Sequence, residues 1–227
     1  MAMTQKLYDA GIIQFPYLED ESLSANSVGD LRFRKLLKQN EWQALPATVR
    51  ARFSKRLTGT KCAIYTGEIL EIRMSRVGWF LAQIARIIGG PLPTSRDVNV
   101  PAVVSVTEDE ATGGQLWTRM YNQHSGFPQV IHSAKRFSGA TGLEEYIGFG
   151  VGMALNVDAD SNSLFFRSDH YFLKLFALRL RFPRWLSPGR TIVSHVDLGD
   201  GNFEFILDLR HPWFGELIHQ TAVFRDS

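Results

Sequence analysis

Residues 147–157, Ile-Gly-Phe-Gly-Val-Gly-Met-Ala-Leu-Asn-Val, set a large apolar side chain at every second position. Ile147, Phe149, Val151, Met153, Leu155 and Val157 fall on one face, while Gly148, Gly150 and Gly152 leave the other bare for three positions. A period of two belongs to a β-strand, whose side chains alternate between faces. The glycines resemble a nucleotide loop, but a dinucleotide fingerprint needs a helix opening at its last glycine. Here the alternation runs on through Met153 and Leu155. The tract therefore reads as the inside of a strand, its glycines marking a bend, a bulge, or the close approach of another backbone or a ligand.

The same period governs its surroundings from Pro101 onward. Strands are predicted over 102–107 and 115–121, around a turn at 111–114, and over 129–138. Residues 164–182 are aromatic and long enough for one bent strand or two. A meander follows over 191–198, 202–210 and 216–224, joined by Gly199-Asp200-Gly201 and by Pro212–Gly215. No helix of crossover length intervenes, so antiparallel pairing is expected.

Upstream the pattern differs. Residues 1–28 read as a tail. Asp30 is placed to cap a helix carrying Leu31, Phe33, Leu36 and Leu37. Pro46 can open a second helical turn with Val49 and Phe53 on one face. Residues 61–74 read as a strand or a strand pair bent at Gly67. Ser75 is a good N-cap for the clearest helix, with Val77, Phe80, Leu81, Ile84, Ile87 and Ile88 at helical spacing and Gly89-Gly90-Pro91 as its stop. The expected architecture is α+β: a helical N-terminal third packed on a large curled antiparallel β-sheet of about seven to nine strands, partly closed and barrel-like. Residues 29–227 would form this single domain, with the 76–89 helix over a concave face suited to a ligand.

The composition narrows function by exclusion. The chain has 227 residues, 44% apolar and 21% charged, with a net charge of +2. That balance argues for a globular fold and against a nucleic-acid partner. One cysteine, Cys62, excludes an internal disulfide and multi-cysteine metal sites. In an apolar strand it would be buried and inert. No leader pattern and no membrane-length apolar run are read, so a cytoplasmic location is expected.

Candidate chemistry is sparse. Asp158, Asp160 and Asn162 imitate the start of a calcium loop, but Ser163 stands where glycine is usual and Asp169 where glutamate is. A polar hairpin turn explains these residues equally well. No metal site and no cofactor are predicted. Trp117, Arg119 and Tyr121 share a strand face, where an Arg between aromatics can hold a carboxylate or phosphate. Glu145, in phase with Ile147, would point inward and need a partner, with Arg119 the candidate. His195 and Asp197 could pair along one strand face, and His211 and His219 flank one hairpin loop. Lys174, Arg179, Arg181, Arg184 and Arg190 with Trp185 form a local basic patch.

The order of short motifs carries a resemblance. Trp42…Leu45-Pro46…Val49-Arg50, Gly67, Gly89-Gly90-Pro91-Leu92-Pro93 and Trp117-Thr-Arg119 make its first part. Glu145…Gly148-Phe149-Gly150, then Leu180-Arg-Phe-Pro183-Arg-Trp-Leu-Ser-Pro188-Gly189, then Phe203…His211-Pro212…Gly215…Gln220, make its second. Together they resemble an uncharacterised bacterial family, domain of unknown function 4166, over about residues 30–225. The resemblance implies no catalytic residues. It implies that such domains stand alone or follow a dehydrogenase-like or epimerase-like nucleotide-binding domain, so a separate nucleotide-binding oxidoreductase is a conceivable partner. Trp117, Arg119, Glu145, His211 and Gln220 match its pattern and are the expected ligand-binding residues.

Three functional expectations follow. The leading one is a binding domain for a small, partly apolar or anionic ligand in the concave face of the sheet. The second is an enzyme with Glu145 or His211 as acid–base group in the same cavity. The third is an interaction module using a strand edge or the Trp185–Trp213 surface.

Overall fold

The computed structural model describes residues 32–54, 56–176, 178–183 and 185–226. The expected tail, the Asp30 cap with Leu31, and Arg184 of the basic patch lie outside the described residues. The strands are β1 (Ala63–Met74), β2 (Val100–Asp109), β3 (Gly114–Tyr121), β4 (Gln129–Arg136), β5 (Leu143–Gly148) and β6 (Val151–Ala159). They continue as β7 (Ser163–Leu175), β8 (Leu178–Arg181), β9 (Arg190–Gly199), β10 (Asn202–His211) and β11 (Gly215–Asp226). The helices are α1 (Gln39–Ala44), α2 (Ala47–Ser54) and α3 (Arg76–Ala85), with 3-10 turns at Arg32–Leu36 and Arg86–Ile88.

The sheet order is β6-β5-β4-β3-β2-β1-β11-β10-β9-β7-β8, and β6 also pairs with β7. That last pairing closes ten antiparallel strands into a barrel, with β8 outside the ring. The expected α+β class is therefore corrected: the chain is 53% strand and 16% helical, a closed barrel with three short helices. The overestimate of helix has a local cause: among the described residues, the stripe expected to form the first helix yields only the 3-10 turn at Arg32–Leu36. Residues 61–74, expected as a strand or a bent pair, hold one twelve-residue strand.

The N-terminal helices do not cover a sheet face; they plug one end of the barrel. Phe33, Leu45, Val49 and Phe53 are buried with Phe166 and Phe203 in one core. Arg52 of α2 donates to Gly201 O at 3.2 Å and pairs with Asp226 at 2.8 Å, both where strands end. Its guanidinium lies 4.1 Å from the centre of the Phe203 ring.

The glycine tract is corrected too. Residues 147–157 are not one strand but the end of β5, a tight turn at Gly148-Phe149-Gly150, and β6. Gly150 has φ +78, and a Cβ there would overlap the Lys174 carbonyl oxygen. Alternation survives such a turn, so the sequence period could not reveal it. The predicted polar hairpin at 160–162 does form, with Asp160 Oδ1 accepting from the backbone N–H of Asn162 and Ser163. Cys62 is exposed just before β1 rather than buried in a strand.

Helix α3 begins as predicted, its Ser75 hydroxyl accepting from Gly78 N at 3.0 Å. It is seated on the barrel through its small residues. Ala82 is buried against Leu217, Ile218 and Leu209, and a Cβ on Gly78 would overlap the Leu217 carbonyl oxygen. The small face thus lies on β11, and the large stripe of Phe80, Ile84 and Ile87 stays substantially exposed. Gly78→Ala is expected to lift α3 from β11 and cost about 1–3 kcal/mol, read as a lower urea midpoint with an unchanged slope.

Candidate functional site

At the end opposite the plug, the barrel holds a cavity of about 540 Å³. It lies within the range of roughly 300–1,000 Å³ typical of small-molecule sites. Its base is aromatic, with Trp117, Phe166, Phe205 and Phe224 contributing, and Trp117 meets Phe205 edge-on at 5.8 Å. Its outer wall is the large stripe of α3, continued by Ile87, Ile88 and the 91–93 segment.

All five expected site residues contribute to these walls. Trp117 and Arg119 come from β3, Glu145 from β5, His211 from the end of β10 and Gln220 from β11. They are not equally placed. His211 sits at the mouth, its Nδ1 accepting from Trp213 N at 3.2 Å and its ring against Trp213 and Phe214. Gln220 is deep, and its side-chain Nε2 is buried with no partner among the described residues.

The polar centre of the cavity is a cluster on β3, β4 and β5. Register places Lys135 opposite Glu145, and Arg119 one strand over opposite Ile131. Lys135 Nζ lies 3.2 Å from Glu145 Oε1, and Arg119 Nη2 lies 3.6 Å from the same oxygen. Arg119 Nη2 also donates to Ser133 Oγ at 2.7 Å, while its Nε is buried without a partner among the described residues. Lys135 Nζ stands 4.7 Å from the Trp117 ring centre, a cation over an aromatic face. The expected Arg119–Glu145 contact is thus real but secondary, and Lys135 is the closer partner. Sequence reading missed Lys135, although it is in phase with the buried Ile131 and Ser133.

Charge states follow from the surroundings. Burial would raise the Glu145 carboxyl, but the charges of Lys135 and Arg119 and the Ser133 hydroxyl outweigh it and hold it below the usual range. Burial lowers Lys135, Glu145 offsets this in part, and Arg119 adds to the lowering. Burial also pushes Tyr171 up to about 12, so its hydroxyl, 2.5 Å from that of Thr191, stays protonated on the cavity wall. The neighbouring Glu144 is held instead by Ser138, Tyr146 and Arg179.

Other sequence candidates fall outside the cavity. His195 does not pair with Asp197, because Arg52 and Thr48 of α2 take that carboxylate, at 3.5 and 2.8 Å. His195 instead stacks on Phe203 at 4.7 Å. His219 bonds to Asp208 at 2.8 Å, apart from His211. Asp208, Glu216 and His219 bring three ligand-type atoms within 4.8 Å of one another, but Arg73 and Arg210 already engage Glu216. Asp158 of the calcium-like run is taken by Arg167 at 2.8 Å.

A family model described as Domain of unknown function (DUF4166) matches residues 45–224. The chain belongs to this family. The matched span runs from just before α2 nearly to the end of β11, so DUF4166 includes every strand of the barrel and the whole cavity. No curated protein and no solved structure matches the chain. Among the described residues, no helix is long and apolar enough to cross a membrane.

Proposed function

We propose that the barrel binds a small amphiphile, its apolar body against the aromatic base and α3, and its anionic head at Arg119. One observation carries this reading. In a cavity with mostly apolar walls, two cations face a single carboxylate, and Arg119 Nε and Gln220 Nε2 are buried without partners among the described residues. Unsatisfied buried donors are costly, about 1–3 kcal/mol each, and are rarely left without reason. A carboxylate or sulfate head on the ligand would accept from Arg119 and balance the surplus charge, while Gln220 offers a separate donor from β11. The enzyme reading has less support: a Glu145 held ionised between two cations is a counter-ion, poorly suited to donating a proton.

Native mass spectrometry against the denatured mass tests for a co-purified amphiphile. A titration then compares dodecanoate with dodecanol. Dodecanoate is expected to bind more tightly, and Arg119→Met to weaken it by ~10-fold or more with dodecanol unchanged. Equal binding of the two probes, or an Arg119→Met variant that keeps its preference for dodecanoate, overturns the assignment of the head group.

A further inference from the structure

We propose that the open end of the barrel docks on a bilayer surface that carries anionic lipid. The first observation is where the exposed large apolar side chains lie. Phe80 and Ile87 project from the α3 region, Phe149 from the β5–β6 turn, Phe176 from the β7–β8 turn, Trp185 from the β8–β9 connection and Trp213 from the β10–β11 turn. The α3 region and the β5–β6, β7–β8 and β10–β11 turns share one end of the antiparallel barrel, the end at which the cavity opens, and the β8–β9 connection lines that cavity through Leu186, Ser187 and Pro188. An apolar ring of this kind on a monomer marks an interaction surface.

Two of these residues stand against local backbone preference. Phe149 has φ +49 and Phe176 has φ +54, the left-handed region that a large L side chain rarely enters. Phe149 is 80% exposed and Phe176 is 100% exposed, so neither is held there by packing. Strain that no buried contact repays points to function rather than to the stability of the fold.

Charge selects the occupant. Arg76, Arg86, Lys174 and Arg190 sit at this end and make no ion pair among the described residues. A negative surface would attract these cations and hold the molecule mouth first. Aromatic side chains on separate turn tips, with basic residues around them, have the composition of an interfacial anchor. The cavity opens inside this ring, so a docked barrel would face the lipid phase with its mouth.

The test is flotation of the full chain with vesicles of phosphatidylcholine containing about one third phosphatidylglycerol, and with phosphatidylcholine alone. Flotation with the anionic vesicles is expected at ~0.1 M salt and should weaken at ~0.5 M. Phe149→Asn/Phe176→Asn should lower the partition constant by ~10-fold or more. Asn tolerates positive φ, so this variant should melt no lower than the parent. Arg119→Met, inside the cavity, should float like the parent, so docking can stand or fall apart from the amphiphile reading. Failure of the parent to float with anionic vesicles overturns the proposal. So does equal flotation of the double Asn variant, or equal binding to neutral vesicles regardless of salt. A dimer in solution that the double Asn variant dissociates would assign the ring to a second copy instead.

Discussion

Unfolding free energy is expected to fall by about 2 kcal/mol between neutral pH and about pH 5, and His195→Phe is expected to abolish most of that fall. His195 is 1% exposed, and neither ring nitrogen has a hydrogen-bond partner among the described residues. It stacks on Phe203 and meets Phe53 and Phe205 edge-on. Burial lowers it from 6.5 to about 3, with the Arg52 charge adding to the shift and Asp197 and Asp226 opposing it. As pH falls below 6.5 the unfolded chain takes up the proton and the folded chain does not. Stability is therefore lost progressively from that point down toward pH 3, at about 1.4 kcal/mol per unit. The acidic groups with lowered values, Glu145 among them, contribute only below their ordinary range near 4.5. Glu204, raised by burial, acts in the opposite sense but is common to parent and variant. The window from 6.5 to 4.5 thus isolates His195. Urea unfolding across it, followed by tryptophan fluorescence, gives the slope, and a variant with the parent's slope would refute the assignment. Because Phe fills the same aromatic slot, the variant should be at least as stable at neutral pH.

That histidine also shows where sequence reading stops. Its strand was legible from alternation, and so was its shared face with Asp197. The competing partner was not, because Arg52 and Thr48 approach from α2, well over one hundred positions away. The first strands after Pro101 were legible for the same reason, since β2 and β4 alternate buried with more open positions. Closure was anticipated only in part, as a curled, barrel-like sheet. The full ring needs β7 to pair with both β6 and, over Ser163–Arg167, β9, and to switch to β8 over Phe172–Leu175, a change of neighbour that leaves no mark on the alternation. Helix α3 was legible as an amphipathic helix over the concave face, but its seat was not: Gly78 and Ala82 allow close approach to β11, which leaves the large stripe for the cavity and the mouth.

In the cavity, Trp117, Arg119, Glu145, His211 and Gln220 were found through family pattern and parity. Lys135 was passed over because a lysine in a strand is usually outward. Its burial is explained only by the carboxylate one strand away, so it could be recognised only as half of a pair.

That pair carries the other large expected effect. Glu145→Gln should lower stability by about 3 kcal/mol, because it leaves Lys135 and Arg119 as facing cations in a buried site. Adding Lys135→Met should recover most of the loss, since the cost is the uncompensated charge and not the missing contact. The single variant should also gain affinity for an anionic amphiphile, for its own competing carboxylate is gone. Dodecanoate at ~100 times its dissociation constant should then restore about 2.7 kcal/mol to the Glu145→Gln variant. Dodecanol should restore no more of the loss in the variant than it adds to the parent. Thermal melts of parent, single and double variants with each probe separate the cases. If single and double variants are equally unstable, buried charge is not the cause. If dodecanoate rescues the single variant no better than dodecanol does, the cluster holds the barrel together without serving a ligand.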